Sequence, residues 1–117
     1  MKIAIISDIH SNIKALEAVL KDIQNRQCDA ILCLGDLVGY YYWPEEVVNL
    51  LMNCENVYSI KGNHEEMLFA SLNDFKVREN LNKKYGLGID YACKKLSDTS
   101  LSFLKGLESS MDLILEG

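Results

Sequence analysis

Three short apolar runs, each closed by a polar turn, constrain this chain more than any other feature. Lys2 to Ser7, Ala30 to Leu34 and Val57 to Ile60 have the length and composition of strands. The first is a continuous β-branched run, as expected of a strand buried on both faces. Between the first two, Ser11 and Asn12 offer helix caps, and Ile13, Leu16, Leu20 and Ile23 recur at helical spacing. Glu17 and Lys21 form a favourable i,i+4 pair on that helix. Between the second and third, Pro44 suits a first helical turn, Glu45 and Glu46 suit its positive end, and Val47, Val48, Leu51 and Met52 form a buried stripe. The pattern is β-α-β-α-β, an α/β chain with a parallel sheet.

From Glu65 onward the periodicity is helical, in three pieces broken near Asn73-Asp74 and Gly86/Gly88. A last helix is expected from Asp98 to Leu107, capped by Ser97, with Leu101, Leu104 and Leu107 on one face. Leu68, Phe69, Leu72 and Phe75 read as core. Asp112 to Leu115 has strand character, so residues 111–117 are expected to form a final strand after a helical segment at 65–110. The whole is expected to be one domain, 1–117, with residues 1–64 carrying the β-α-β-α-β unit, and to be incomplete as it stands.

A formal charge of -5 excludes a general nucleic-acid surface, which needs excess Lys and Arg. The apolar opening is too short for a membrane span or a signal peptide. Cys28, Cys33, Cys54 and Cys93 are scattered without a C-x-x-C pair, so structural thiols in a reducing cytoplasm are expected.

The turns carry the chemistry. Asp8-Ile9-His10, Gly35-Asp36-Leu37-Val38-Gly39 and Gly62-Asn63-His64-Glu65 each follow a strand. In a parallel sheet, ligands bind beyond the carboxyl ends of the strands, so these turns share one place. Asp8 and His10 can hold one divalent ion, Asp36 can bridge to a second, and Asn63 offers that second ion a neutral oxygen. Two metals there would polarise phosphoryl oxygens and generate a hydroxide nucleophile at neutral pH. His64 could protonate the leaving oxygen or stabilise phosphoryl charge. Gly35 and Gly62 permit tight turns and close approach of backbone to phosphate. Glu65 is an acceptor able to orient a histidine or a ligand. Singly, an Asp or Asn after a strand is most often a turn residue. Jointly that reading fails, because both histidines of the chain fall beside carboxylates or amides at strand ends. Catalysis with Asp8 as nucleophile fits less well, since its near neighbour is His10 rather than another acid.

Asp8-x-His10, Gly35-Asp36-x-x-Gly39 and Gly62-Asn63-His64-Glu65, in this order, resemble the calcineurin-like metallophosphoesterase superfamily. The helix-rich stretch after Glu65 resembles its small prokaryotic members, YfcE-type phosphodiesterases and diadenosine-tetraphosphatase-like enzymes. The resemblance implies the first half of an αββα sandwich and a dinuclear Mn, Fe, Ni or Zn centre. Asp8 and His10 would hold the first metal, Asp36 would bridge, Asn63 would hold the second, and His64 would be the catalytic histidine. The implied substrate is a phosphomonoester, a phosphodiester or a nucleoside polyphosphate. Family members carry later His-Gly and Gly-His-x-His motifs, whereas this chain has no histidine after His64. The second ion is therefore expected to be weakly held, and this chain alone weakly active or inactive. One apolar sheet face is expected to lie exposed, open to a complementing chain or a second copy. The alternative is a non-catalytic metal-binding or protein-interaction module. Tyr40-Tyr41-Tyr42-Trp43 could stack on a nucleobase or pack near the Pro44 helix, and packing is the preferred reading.

Overall fold

The computed structural model describes residues 1–116. Strands β1 (Ile3–Ile6), β2 (Ala30–Cys33) and β3 (Val57–Ser59) form a parallel sheet in the order β1-β2-β3. Ile3 to Ile6 pair with Ala30 to Cys33, and Ile31 to Cys33 pair with Val57 to Ser59. This register places all three strand ends, and the loops that follow them, side by side.

Helix α1 (Ile13–Asn25) is capped by Asn12, whose side chain accepts the Ala15 N–H at 3.1 Å. Helix α2 (Pro44–Met52) starts on Pro44 and carries Glu45 and Glu46 in its first turn. α1 and α2 pack against each other. Helices α3 (Asn63–Ser71), α4 (Phe75–Tyr85) and α5 (Gly88–Lys95) follow, broken at Asp74 and at Gly86 as their cap chemistry predicts, and α6 (Asp98–Lys105) is capped by Ser97. α3 begins at Asn63, two residues earlier than the periodicity suggests, so Asn63 and His64 stand in its first turn. The core joins Cys33 of β2 to Leu16, Val47, Val48, Leu51, Leu68, Ile89, Ala92 and Leu104 of the helices.

Three expectations are corrected. β1 is not buried on both faces: Ile3 and Ile5 are exposed, the latter by 66%, because β1 is an edge strand whose outer face no helix covers. β2, the central strand, has the buried character instead. Residues 111–116 form no strand and pair with neither edge of the sheet. Ser109, Ser110, Met111 and Leu113 lie against Leu32, Leu34, Tyr58 and Ile60 around a cavity of about 240 Å³. The remainder of the expected 111–117 strand, Gly117, lies outside the described residues. Phe75 is 74% exposed rather than core, since it opens α4 and does not continue the face of α3.

Glu45 fastens α2 to the start of α6. Its carboxylate accepts the Ser97 N–H at 3.0 Å, the Ser97 hydroxyl at 2.9 Å and the Ser100 hydroxyl at 2.9 Å. Partial burial raises this carboxyl, but the three hydrogen bonds outweigh it and hold Glu45 below the usual glutamate range. The folded chain thus binds this proton less readily than the unfolded chain. The stabilisation is complete above the ordinary glutamate pKa and is lost as pH falls through the folded value. Glu45→Ala should lower stability by about 1–3 kcal/mol at neutral pH. Urea titrations at about pH 7 and about pH 3 should show the gap to the unaltered protein closing in acid. A gap independent of pH would refute the assignment.

Candidate metal centre

The loop after β1 turns through left-handed backbone at Asp8 (φ 58°), His10 (φ 49°) and Ser11 (φ 60°), and the loop after β2 does so at Gly35, Asp36 (φ 57°), Gly39 and Tyr40 (φ 61°). Non-glycine residues rarely adopt this conformation and cluster there at functional sites. Backbone bonds lock the loops together: Asp8 N–H to Gly35 O, His10 N–H to Asp36 O at 2.9 Å, and Ser11 N–H to Leu37 O at 2.7 Å. One ligand atom each from Asp8, His10 and Asp36 then falls within 4.8 Å of the others. Ser7 Oγ donates to Asp8 Oδ2 at 2.7 Å, which lowers the Asp8 carboxyl further than its slight desolvation raises it; the His10 ring adds to the effect.

The donor set suits a cation. His10 Nδ1 lies 3.0 Å from the Val38 carbonyl, which can only accept, so Nδ1 carries a proton, and in the neutral ring Nε2 has the lone pair a cation needs. That Nε2 faces Asp8 Oδ1 at 3.2 Å. Asn63 stands beside the Asp36 carboxylate, and its amide NH₂ donates to the two Asp36 oxygens at 3.0 and 3.1 Å. The Asp8 and Asp36 carboxylates and the Nε2 of a neutral His10 are the lone-pair donors gathered here.

Glu65 supports the centre from below. It is fully buried, and Oε1 accepts the N–H groups of Asp36 (2.7 Å) and Gly62 (2.8 Å) while Oε2 accepts those of Leu37 (2.9 Å) and Val38 (3.3 Å). It therefore orients ligands through the loop backbone, not by touching a histidine. Burial raises its carboxyl more than these bonds lower it. Yet each oxygen meets two donors, so only the ionised form fits the geometry. The expected glycine roles shift too. A Cβ on Gly35 would meet the backbone at Lys61 and Gly62, and one on Gly62 would meet the Asp36 carboxylate, so these glycines let the two loops close on each other.

His64 is brought to the same place. Its N–H donates to Asp36 Oδ1 at 2.9 Å, and its ring lies against that of His10. Burial, and next the His10 ring, lower its pKa; Asp36 and Asp8 oppose this. Gly39 leaves room for the imidazole, since a Cβ there would meet it. All the candidate residues thus converge: Asp8, His10, Asp36, Asn63, His64, Glu65 and the three glycines. Missed in the sequence was Tyr85, whose ring packs on those of His64 and Tyr40. Helical periodicity predicts that α4 exists but not where its last turn docks. Tyr40 itself packs on both histidines.

The family model of the calcineurin-like phosphoesterases matches residues 1–112. The chain belongs to that family. It is 42% identical to an uncharacterized protein of Methanocaldococcus jannaschii, over 97% of this chain and 43% of that protein. It also superposes on the crystal structure of a metallophosphoesterase from Sphaerobacter thermophilus with a TM-score of 0.75 and 34% identity, covering 96% of this chain and 43% of that one. The chain therefore spans less than half the length of these two relatives. The family is one of divalent-metal-dependent phosphoesterases, and the cluster of Asp8, His10 and Asp36 is a candidate ligand group of this calcineurin-like phosphoesterase chain. Among its described residues, no helix is long and apolar enough to cross a membrane.

Proposed function

We propose that this chain carries the larger part of a phosphoesterase centre that hydrolyses phosphomonoesters, phosphodiesters or nucleoside polyphosphates. The approach of Asp8, His10 and Asp36, one ligand atom of each within 4.8 Å of the others, supports this reading most. Asp8, His10 and Asp36 would hold one divalent ion, Mn, Fe, Ni or Zn; Asp36 and Asn63 would hold a second, weakly, since they give it only two protein ligands. Such ions would neutralise phosphoryl charge and supply a nucleophile at neutral pH. Asp36 also fixes the His64 backbone, so the proton donor and the bridging carboxylate move together. His64, in its protonated form, would pass a proton to the leaving oxygen and return to the neutral imidazole that burial favours. The reading includes a cytoplasmic setting and a complementing chain or second copy over the exposed sheet face.

The exposed side chains Ile3, Ile5 and Leu34 favour a second reading, a non-catalytic module that binds a partner or one metal. Hydrolysis of p-nitrophenyl phosphate and bis-p-nitrophenyl phosphate with Mn²⁺ separates the two. The phosphoesterase reading expects slow metal-dependent turnover, lowered about 100-fold or more by His64→Ala. Metal binding without any turnover, by the chain alone and with a complementing chain over the sheet face, supports the module.

A further inference from the structure

His64 is only 4% exposed, and its Nδ1 has no hydrogen-bond partner. The Val38 carbonyl lies close enough to favour a charged imidazole, yet it bonds His10 Nδ1 and makes no hydrogen bond of good geometry to His64. Rings hold His64 instead. Its centroid lies 4.4 Å from that of His10, 5.0 Å from Tyr40 and 5.7 Å from Tyr85, and Tyr40 and Tyr85 meet at 6.3 Å. Most of these contacts are edge-on, the favoured geometry for aromatic pairs. An imidazole walled in this way cannot rotate about χ2 without displacing a tyrosine.

The walls are themselves braced. Tyr40 sits in left-handed backbone, and the next N–H, from Tyr41, reaches the Gly39 carbonyl at 2.8 Å and the His10 carbonyl at 3.2 Å. Gly88, at the start of α5, lies so close to the Tyr40 backbone that a Cβ would collide with it. Tyr85 closes the last turn of α4, one residue before the left-handed Gly86. The α4–α5 pair thus reaches the strand-end loops at two points.

We infer that Tyr40 and Tyr85 are positioning residues that fix the plane of the His64 imidazole beside the Asp8–His10–Asp36 group. The rings do this, so phenylalanine should serve at either position. This gives the helical excursion a task in the site. The inference rests on His64 as the proton donor proposed above, but the orientation can be read without turnover.

The chain has two histidines, so imidazole spectra are simple to assign. In ¹⁵N-labelled, Zn²⁺-loaded protein, His64 should give one narrow ring signal with cross-relaxation to His10 ring protons. Tyr85→Leu should lower that cross-relaxation about twofold or more and split or broaden the His64 signal, while Tyr85→Phe restores both. Zn²⁺ affinity should stay within about twofold, which separates positioning from collapse of the ligand loops. Where turnover is measurable, Tyr85→Leu should lower kcat about tenfold with KM unchanged. An unaltered His64 signal in Tyr85→Leu overturns the inference, as does loss of Zn²⁺ affinity in step with kcat. Should Tyr85→Leu not fold, Tyr40→Leu and Tyr40→Phe carry the same comparison, and two exchanging His64 ring states in the unaltered protein would overturn it without any variant. Turnover absent from the unaltered protein, alone and with a complementing chain, with the spectra as expected, removes the phosphoesterase reading and leaves the positioning intact.

Discussion

Glu65→Gln should unfold the ligand loops nearly as thoroughly as Glu65→Ala. The carboxylate offers two oxygens to four backbone N–H groups, from Asp36, Gly62, Leu37 and Val38. An amide keeps one oxygen and points an NH₂ group at the other two donors. Two buried N–H groups would then be orphaned at about 1–3 kcal/mol each, a loss of roughly 2–6 kcal/mol. Small domains are stable by only about 5–15 kcal/mol, so this is a large fraction of the whole. Urea unfolding of Glu65→Gln, Glu65→Ala and the unaltered chain provides the measurement. A Gln variant within about 1 kcal/mol of the parent would show that the loops hold together without a charge at their centre.

Asp36→Asn should do the opposite, removing metal binding while sparing the fold. Asparagine tolerates left-handed backbone at least as well as aspartate, and its oxygen can still accept the His64 N–H. It lacks the charge that both candidate ions would share. Altering a group that merely supports a ligand costs about 10–100-fold in affinity, so loss of the shared carboxylate should cost about 100-fold or more. Calorimetric titration with Mn²⁺ reads this directly, with thermal unfolding of the metal-free proteins as the control. Retained affinity, within about threefold, would mean that Asp36 is not a ligand.

The parts of this molecule that were legible in the sequence are those decided locally. The apolar runs give way to Asp8, Gly35 and Lys61-Gly62, and the caps Asn12, Asp74 and Ser97, with Pro44 in a first turn, start their helices where turn chemistry requires. Because parallel strands deliver their loops to one edge, Asp8, His10, Asp36, Asn63 and His64 could be gathered without coordinates. What failed was decided by neighbours far along the chain. Ile3 and Ile5 carry a fully buried pattern, but an edge position leaves them open. Asp112 to Leu115 has strand composition but pairs with no strand, and strand preference is largely a preference for partners. Phe75 followed its new helix outward, and Tyr85 reached the histidines from the far end of α4.

The left-handed residues at 8, 10 and 36 have a consequence for how such a sequence ages. Each costs about 1–3 kcal/mol relative to a relaxed backbone. Glycine or asparagine at these positions would relieve that burden. A lineage released from binding ions would therefore gain stability by the first substitution it sampled there, and its decay would begin at the ligands and not in the core. Two aspartates and a histidine held in this posture are the most perishable part of the molecule, and they outlast drift only where something continues to need them.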